Sequence, residues 1–296
     1  MSDPFSLYRL TGEQAPEAPV LVVALEGWVD AGLAGSTALS GLLETVETRP
    51  YAVFDPEPLI DQRARRPRLR ISDGLNEGLT WPEPIVRVGT DRLGSGIAVL
   101  TGPEPDFRWK QFASSVVSLA GAMGVRLMVG FGGFPAAAPH TRPIRLASTA
   151  TSRLLASQVG FVDGTIEVPA GVEAALEEAL GQAGIPAVGL WARVPHYVAA
   201  MPFPAAAVQL LDGLAAVSGL VIDSSVLDEA ATTATAKVDE LIAQSAEHLA
   251  MVRQLEHNVD ALEGTPETLR EEDMPSGDDL AAELERYLRG ESGGFD

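Results

Sequence analysis

The chain has 296 residues, 46% hydrophobic and 21% charged, with no cysteine, so disulfides, thiolate metal sites and thiol catalysis are excluded. That length supports one large core or a core with an appendage. The net charge of −20 is uneven: the last 69 residues hold 18 Asp/Glu against five Lys/Arg, a balance of −13, leaving −7 for the first 227. Nucleic acid and anionic membrane surfaces would repel such a chain and are not expected partners. The opening Met1-Ser2-Asp3-Pro4-Phe5 shows neither the basic nor the apolar region of a secretory signal. The most apolar late stretch, residues 205–222, is broken by Gln209 and Asp212 and falls short of the ~20 apolar residues of a membrane span. A cytoplasmic location is expected.

Residues 20–25, Val-Leu-Val-Val-Ala-Leu, form a continuous apolar run between Pro19 and Gly27, the pattern of a strand buried on both faces. Asp30 then precedes the small-residue stretch 31–39, which suits a helix capped by that carboxylate and packed closely on a sheet. Short strands are expected at 51–54, 85–89 and 97–100, and a helix at 106–123 with Phe112, Val116, Leu119 and Ala120 on one face. A strand at 125–130 runs into Phe131-Gly132-Gly133-Phe134-Pro135, read as an apolar loop. Helices are expected around 148–156 and over 172–183, followed by a strand at 188–191. This alternation predicts an α/β fold with a mostly parallel or mixed sheet, whose strand-end loops gather where open α/β sheets bind ligands.

Residues 228–262 contain neither Pro nor Gly and repeat apolar side chains at Val238, Leu241, Val252, Leu255, Val259 and Leu262, interrupted at Ser245 and His248. They read as a long amphipathic helix or a helical hairpin arm. A further helix is expected at 279–288 after a loop rich in Gly, Pro and acids. The expected division is a core domain at 1–227 and an acidic helical arm with its tail at 228–296.

Two of the four histidines follow a proline, in Pro139-His140-Thr141-Arg142-Pro143 and in Trp191-Ala192-Arg193-Val194-Pro195-His196-Tyr197-Val198, each after an apolar run. If both strand ends lie side by side, one crevice is lined by Glu26, Trp28, Asp30, Gly132, Gly133, His140, Thr141, Arg142, Trp191, His196 and Tyr197. Histidine suits general acid–base work near neutral pH, but it also serves as a hydrogen-bonded structural group. No nucleophile motif accompanies either histidine, so no catalytic residue is assigned. Two histidines without a carboxylate at ligand spacing make a thin metal site, so no metal and no cofactor are expected. Glu26-Gly27-Trp28-Val29-Asp30-Ala31-Gly32 is strand, turn and helix start, but lacks the Gly-Lys-Ser/Thr ending of a phosphate loop. A carboxylate at Glu26, directly after a buried strand, needs partners or a raised pKa. The densest basic run, Arg63 to Arg70, is expected to pair with the protein's own acid, within or between copies.

The stretches 26–32, Thr101-Gly102-Pro103-Glu104-Pro105-Asp106 with Arg108-Trp109, 139–143 and 191–198 together resemble the bacterial branch of the proteasome assembly chaperone family of the second type. Arg65-Arg66-Pro67 and Leu284-Glu285-Arg286-Tyr287-Leu288-Arg289 fit as well, so the resemblance runs from about residue 19 to 288. It implies a three-layer α/β/α sandwich similar to the nucleoside phosphorylase and hydrolase-like fold, with an added C-terminal helical arm. It also implies a non-catalytic, self-associating protein that binds another protein complex, proteasome subunits among the candidates, with a trimer among the assemblies allowed. The alternative is a small-molecule enzyme or sensor, of the phosphorylase/hydrolase-like or ATP-grasp-associated type, using the strand-end crevice.

Overall fold

A computed structural model describes residues 7–12, 14–27, 29–162 and 164–262. In chain order the elements are β1 (Tyr8–Leu10), β2 (Val20–Glu26), α1 (Ala34–Thr45), β3 (Thr48–Phe54), β4 (Arg68–Ser72), β5 (Leu75–Thr80), β6 (Ile85–Thr90), β7 (Gly96–Pro103), α2 (Trp109–Ala122), β8 (Leu127–Ala136), β9 (Leu146–Ala150), α3 (Arg153–Val159), α4 (Val172–Gln182), β10 (Ala187–Pro195), α5 (Pro204–Ser218), α6 (Asp228–Ala243) and α7 (Ala246–Leu262). Eight strands make one mixed sheet in the order β1-β3-β6-β7-β2-β8-β10-β9, and β4 and β5 form a separate pair. The fold is the α/β class expected. The helix expected at 279–288 lies outside the described residues.

Two compact units are built from interleaved segments. The first comprises Met1–Trp28, Val46–Gly130 and Ala170–Ala187. Here β2 runs parallel to β7 from Val20↔Ile97 to Glu26↔Pro103, and parallel to β8 from Val20↔Leu127 to Val23↔Gly130. Both faces of β2 are covered, which is why Val20 to Ala24 carries no polar alternation and is wholly buried. On α2, Phe112, Val116, Leu119 and Ala120 are buried at the spacing of one helical face, as expected. The Phe112 ring stands 4.7 Å from that of Phe54, which stands 5.5 Å from Tyr8. On α4, Val172, Leu176 and Leu180 repeat the device at four-residue steps.

The second unit comprises Val29–Thr45, Phe131–Pro169 and Val188–Asp296. In it β10 pairs antiparallel with β9, from Val188↔Ala150 to Ala192↔Leu146. The small residues of α1 permit close approach: a Cβ at Gly41 would sit 3.2 Å from Leu227 and one at Gly35 would sit 3.1 Å from the Phe131 carbonyl oxygen. Proline opens α5, where its missing N–H costs nothing, and Gly219 at φ 72° closes it. The chain breaks between α6 and α7 at Gln244-Ser245, where Ser245 Oγ accepts from the His248 N–H. Val238 and Ile242 of α6 and Val252 and Leu255 of α7 are buried.

Two local expectations are corrected. Residues 131–135 are not a loop, because β8 continues through them to Ala136. Residues 148–150 are the edge strand β9, and the helix begins only at Arg153, with Ser152 Oγ accepting from the Leu155 N–H. The hairpin β4–β5 and helix α5 carry no counterpart in the sequence reading.

Candidate functional site

The proline–histidine segment after β8 is a densely hydrogen-bonded part of the second unit. The His140 side chain is only 1% exposed. Its backbone N–H donates to Tyr197 Oη at 2.8 Å, and its Nδ1 lies 2.7 Å from the same oxygen. Its Nε2 lies 3.0 Å from Asp239 Oδ1 on α6. Proton bookkeeping favours one arrangement: Tyr197 O–H donates to Nδ1, and Nε2–H donates to the Asp239 carboxylate. Every donor in that chain then has an acceptor. Tyr197 sits in the short turn His196–Val198 after β10. Burial, then the nearby Glu256 and Asp239 carboxylates, push its phenol up to about 12, against the opposing His140 N–H bond. Tyr197 therefore stays protonated, as the donor role requires.

The two residues that follow His140 reach α7. Thr141 Oγ1 donates to Glu256 Oε1 at 2.6 Å. Arg142 grips Asp260 with a two-pronged fork, Nε to Oδ1 at 2.8 Å and Nη2 to Oδ2 at 2.7 Å, and its Nη1 reaches Glu256 Oε1 at 3.3 Å. That hydrogen-bonded guanidinium holds the Asp260 carboxyl below its ordinary value. His196 is exposed, and its ring meets that of Tyr197 edge to face at 5.3 Å.

The other candidates fall in separate places. Asp30 is a helix cap: Oδ1 accepts from Gly35 N–H at 2.6 Å, and Oδ2 from Ser36 N–H at 3.1 Å and Ser36 Oγ at 2.7 Å. It caps α1 one turn later than expected, because Ala31–Leu33 forms a 3-10 turn first. Its backbone bridges to Gly133, where a Cβ would come within 2.8 Å of the Ala31 carbonyl oxygen. Gly132 underlies the Trp191 indole, which a Cβ would penetrate, and the indole N–H donates to Thr149 Oγ1 at 3.2 Å. The glycines of β8 thus serve close packing of an extended strand. Glu26 belongs to the first unit and is exposed. Trp28 lies outside the described residues.

A second polar cluster, most of whose residues the sequence reading named without bringing them together as a site, lies in the first unit. Glu104 Oε1 accepts from the Val172 N–H that opens α4, at 2.5 Å. Arg65 Nη1 donates to the Glu104 carbonyl oxygen and to Asp106 Oδ1, both at 2.9 Å. Glu173, the next residue of α4, lies over Gly130 with its Oε1 sealed and without a hydrogen-bond partner. Burial first, then Glu177 and Glu104, hold its carboxyl well above the ordinary range. Burial also raises Glu104, against its backbone hydrogen bond and Arg65.

Sequence reasoning missed Asp239, Glu256 and Asp260, which lie 99 to 118 residues from their partners. Their only sequence signal is the acid excess of the arm. Among the described residues no group of His, Asp and Glu has the arrangement of a metal site, and no helix is long and apolar enough to cross a membrane.

Among curated proteins none matches the chain. Among solved structures, a Mycobacterium tuberculosis protein of unknown function is 34% identical, with 96% of this chain and 98% of that one covered and a TM-score of 0.83. A proteasome-assembly chaperone homologue from Mycobacterium tuberculosis is 32% identical over 79% of this chain and 99% of its own, with a TM-score of 0.73. An archaeal proteasome activator from Pyrococcus furiosus shares the fold at 15% identity, covering 79% of this chain and 97% of its own with a TM-score of 0.60. The sequence profile of the PAC2 family matches residues 24–242, from β2 to the end of α6. The chain belongs to the PAC2 family, as its motifs led us to expect.

Proposed function

We propose that this chain is a non-catalytic, self-associating protein of the assembly-chaperone type, acting in the cytoplasm on another protein complex, with proteasome subunits the first partner to test. A homo-oligomer is part of the proposal, a trimer being one form it can take. One observation carries it. The polar groups best suited to chemistry, His140, Thr141, Arg142 and Tyr197, are engaged by one another and by carboxylates of α6 and α7. A histidine with both nitrogens committed and 1% exposure has no free edge for a substrate. The 32% identity to a proteasome-assembly chaperone homologue supports looking for the partner among protein complexes.

The test is native mass spectrometry of the purified chain mixed with purified proteasome subunits. A complex of fixed stoichiometry is expected. Absence of any complex at ten times the concentration that saturates a control chaperone would overturn the reading.

A second reading, a small-molecule enzyme or sensor, draws support from a different place. Glu173 is a sealed carboxyl without a hydrogen-bond partner, beside Glu104, at the start of a helix, and perturbed carboxyl pairs recur at ligand sites. Retention or turnover of a small molecule that Glu173→Gln abolishes would favour it.

A further inference from the structure

In the second unit a groove of about 560 Å³ opens beside α6. It is lined by Met201 and Pro202, which precede α5, by Val226, and by Ala230, Ala234 and Val238 of α6. That volume falls in the range of small-ligand sites, roughly 300–1,000 Å³, and the lining is mostly apolar, as in such sites. Val238 precedes Asp239, whose carboxylate meets His140, and His140 in turn meets Tyr197 in the turn that leads to Met201. The hydrogen-bonded network around His140 therefore ties together the two segments that line the groove.

Three polar residues complete the lining, at four-residue steps along α6: Glu229, Thr233 and Lys237. Side chains at that spacing share one helical face. All three are exposed, and none has a hydrogen bond or ion pair to another of the described residues. Lys237 is left unpaired although the chain carries a net charge of −20 and Glu240 follows it by one turn. From Glu229 to Lys237 the helix rises roughly 12 Å, at about 1.5 Å per residue. The groove thus has a free carboxylate toward one end, a free hydroxyl midway and a free ammonium toward the other.

We propose that this groove binds a short apolar peptide with free termini, lying along α6 with its ammonium at Glu229 and its carboxylate at Lys237. The inference goes beyond the partner-complex reading and does not depend on it. An extended chain spans about 3.3–3.6 Å per residue, so roughly four residues match the separation of the two charges. Apolar side chains of the peptide enter the groove between Met201, Val226 and Ala234. The Thr233 hydroxyl, donor and acceptor at once, meets a main-chain amide at mid-length. An acyl chain with a single carboxylate would use Lys237 and leave both Glu229 and Thr233 without a role. A partner helix, with its main-chain groups already bonded internally, would leave Thr233 idle.

The experiment screens the full chain by saturation-transfer NMR against a pool of tetrapeptides of alanine, valine and leucine with free termini, and titrates the strongest binder by calorimetry. Acetylating its amino terminus or amidating its carboxyl terminus is expected to weaken binding by about fivefold each, the worth of one partly exposed ion pair. Lys237→Gln should bind the free and the amidated peptide equally while still preferring a free amino terminus. Glu229→Gln should show the converse. Both positions are exposed, so the circular dichroism and melting temperature of the variants should match wild type. Absence of any tetrapeptide binding at about 1 mM would overturn the inference. So would binding of decanoate without binding of a peptide, or a preference for both free termini that survives in both variants.

Discussion

Replacing His140 with alanine should release the acidic helices before it unfolds the core. Three losses add up. The Nδ1 contact with Tyr197 Oη, at 2.7 Å, is worth about 1 kcal/mol. The Nε2 contact with Asp239 is charge-assisted, but the Asp239 side chain is 59% exposed, so solvent screening holds it to about 1 kcal/mol as well. The lost ring leaves a space that its neighbours fill only in part, costing about 1 kcal/mol more. The sum is about 3 kcal/mol, or slightly more than 100-fold in an equilibrium constant. Hydrogen exchange read by mass spectrometry measures it where it matters. Amides of α6 and α7 should lose about 100-fold in protection, while those of β2, β7 and α2 stay close to wild type. Tyr197→Phe and Asp239→Asn should each reproduce part of the loss and add little to His140→Ala, because all three act through one chain of hydrogen bonds. Unchanged protection of α6 in His140→Ala, with loss spread evenly over the core, would refute the anchoring argument.

Arg142→Gln should free α7 in particular. In wild type its docking should hold from pH 5 to 8 and weaken below about pH 4, because a carboxyl lowered in the fold contributes above its unfolded pKa and loses that contribution as pH falls through the folded value. Exchange in α7 across pH checks the sign, and the variant should lose the acid dependence. Glu173→Gln should raise stability by about 1 kcal/mol or more at pH 8 and hardly at all at pH 4. A carboxyl raised in the fold keeps a proton that the unfolded chain releases above about pH 4.3, so wild-type stability falls as pH rises from there; urea titrations at the two pH values measure the difference. Gly132→Ala should cost about 1–3 kcal/mol by forcing the Trp191 ring from its seat, and Trp191→Leu in the same chain should restore part of it in urea unfolding.

Elements whose cause is local were legible in the sequence. The β2 run needs only its own apolar continuity, and α2 only its own 3.6-residue period. The arm showed itself by a 3.5-residue apolar spacing and by its lack of Pro and Gly, and Ser245 marked the break that became two helices. The misses have physical reasons. The extension of β8 was hidden because glycine reads as a loop signal, whereas here it makes room for Trp191, Ala31 and Glu173. Strand β9 is short, lies at the sheet edge and is rich in small residues, so it carries no strand period. The Asp73-Gly74 turn was a legible hairpin signal, overshadowed by the arginines around it. For the site, the sequence marked the right segments but not what they face. His140 and Tyr197 do meet, 57 residues apart, yet the groups that give the arrangement its meaning are carboxylates of the arm. Nothing in a segment's own residues encodes a partner a hundred positions away.

The most direct measurement is the rate at which separately purified proteasome subunits acquire peptidase activity with and without this chain. The account predicts faster maturation at substoichiometric amounts, with the chain recovered unchanged. An unchanged rate, together with turnover of a small molecule by the chain alone, would contradict it.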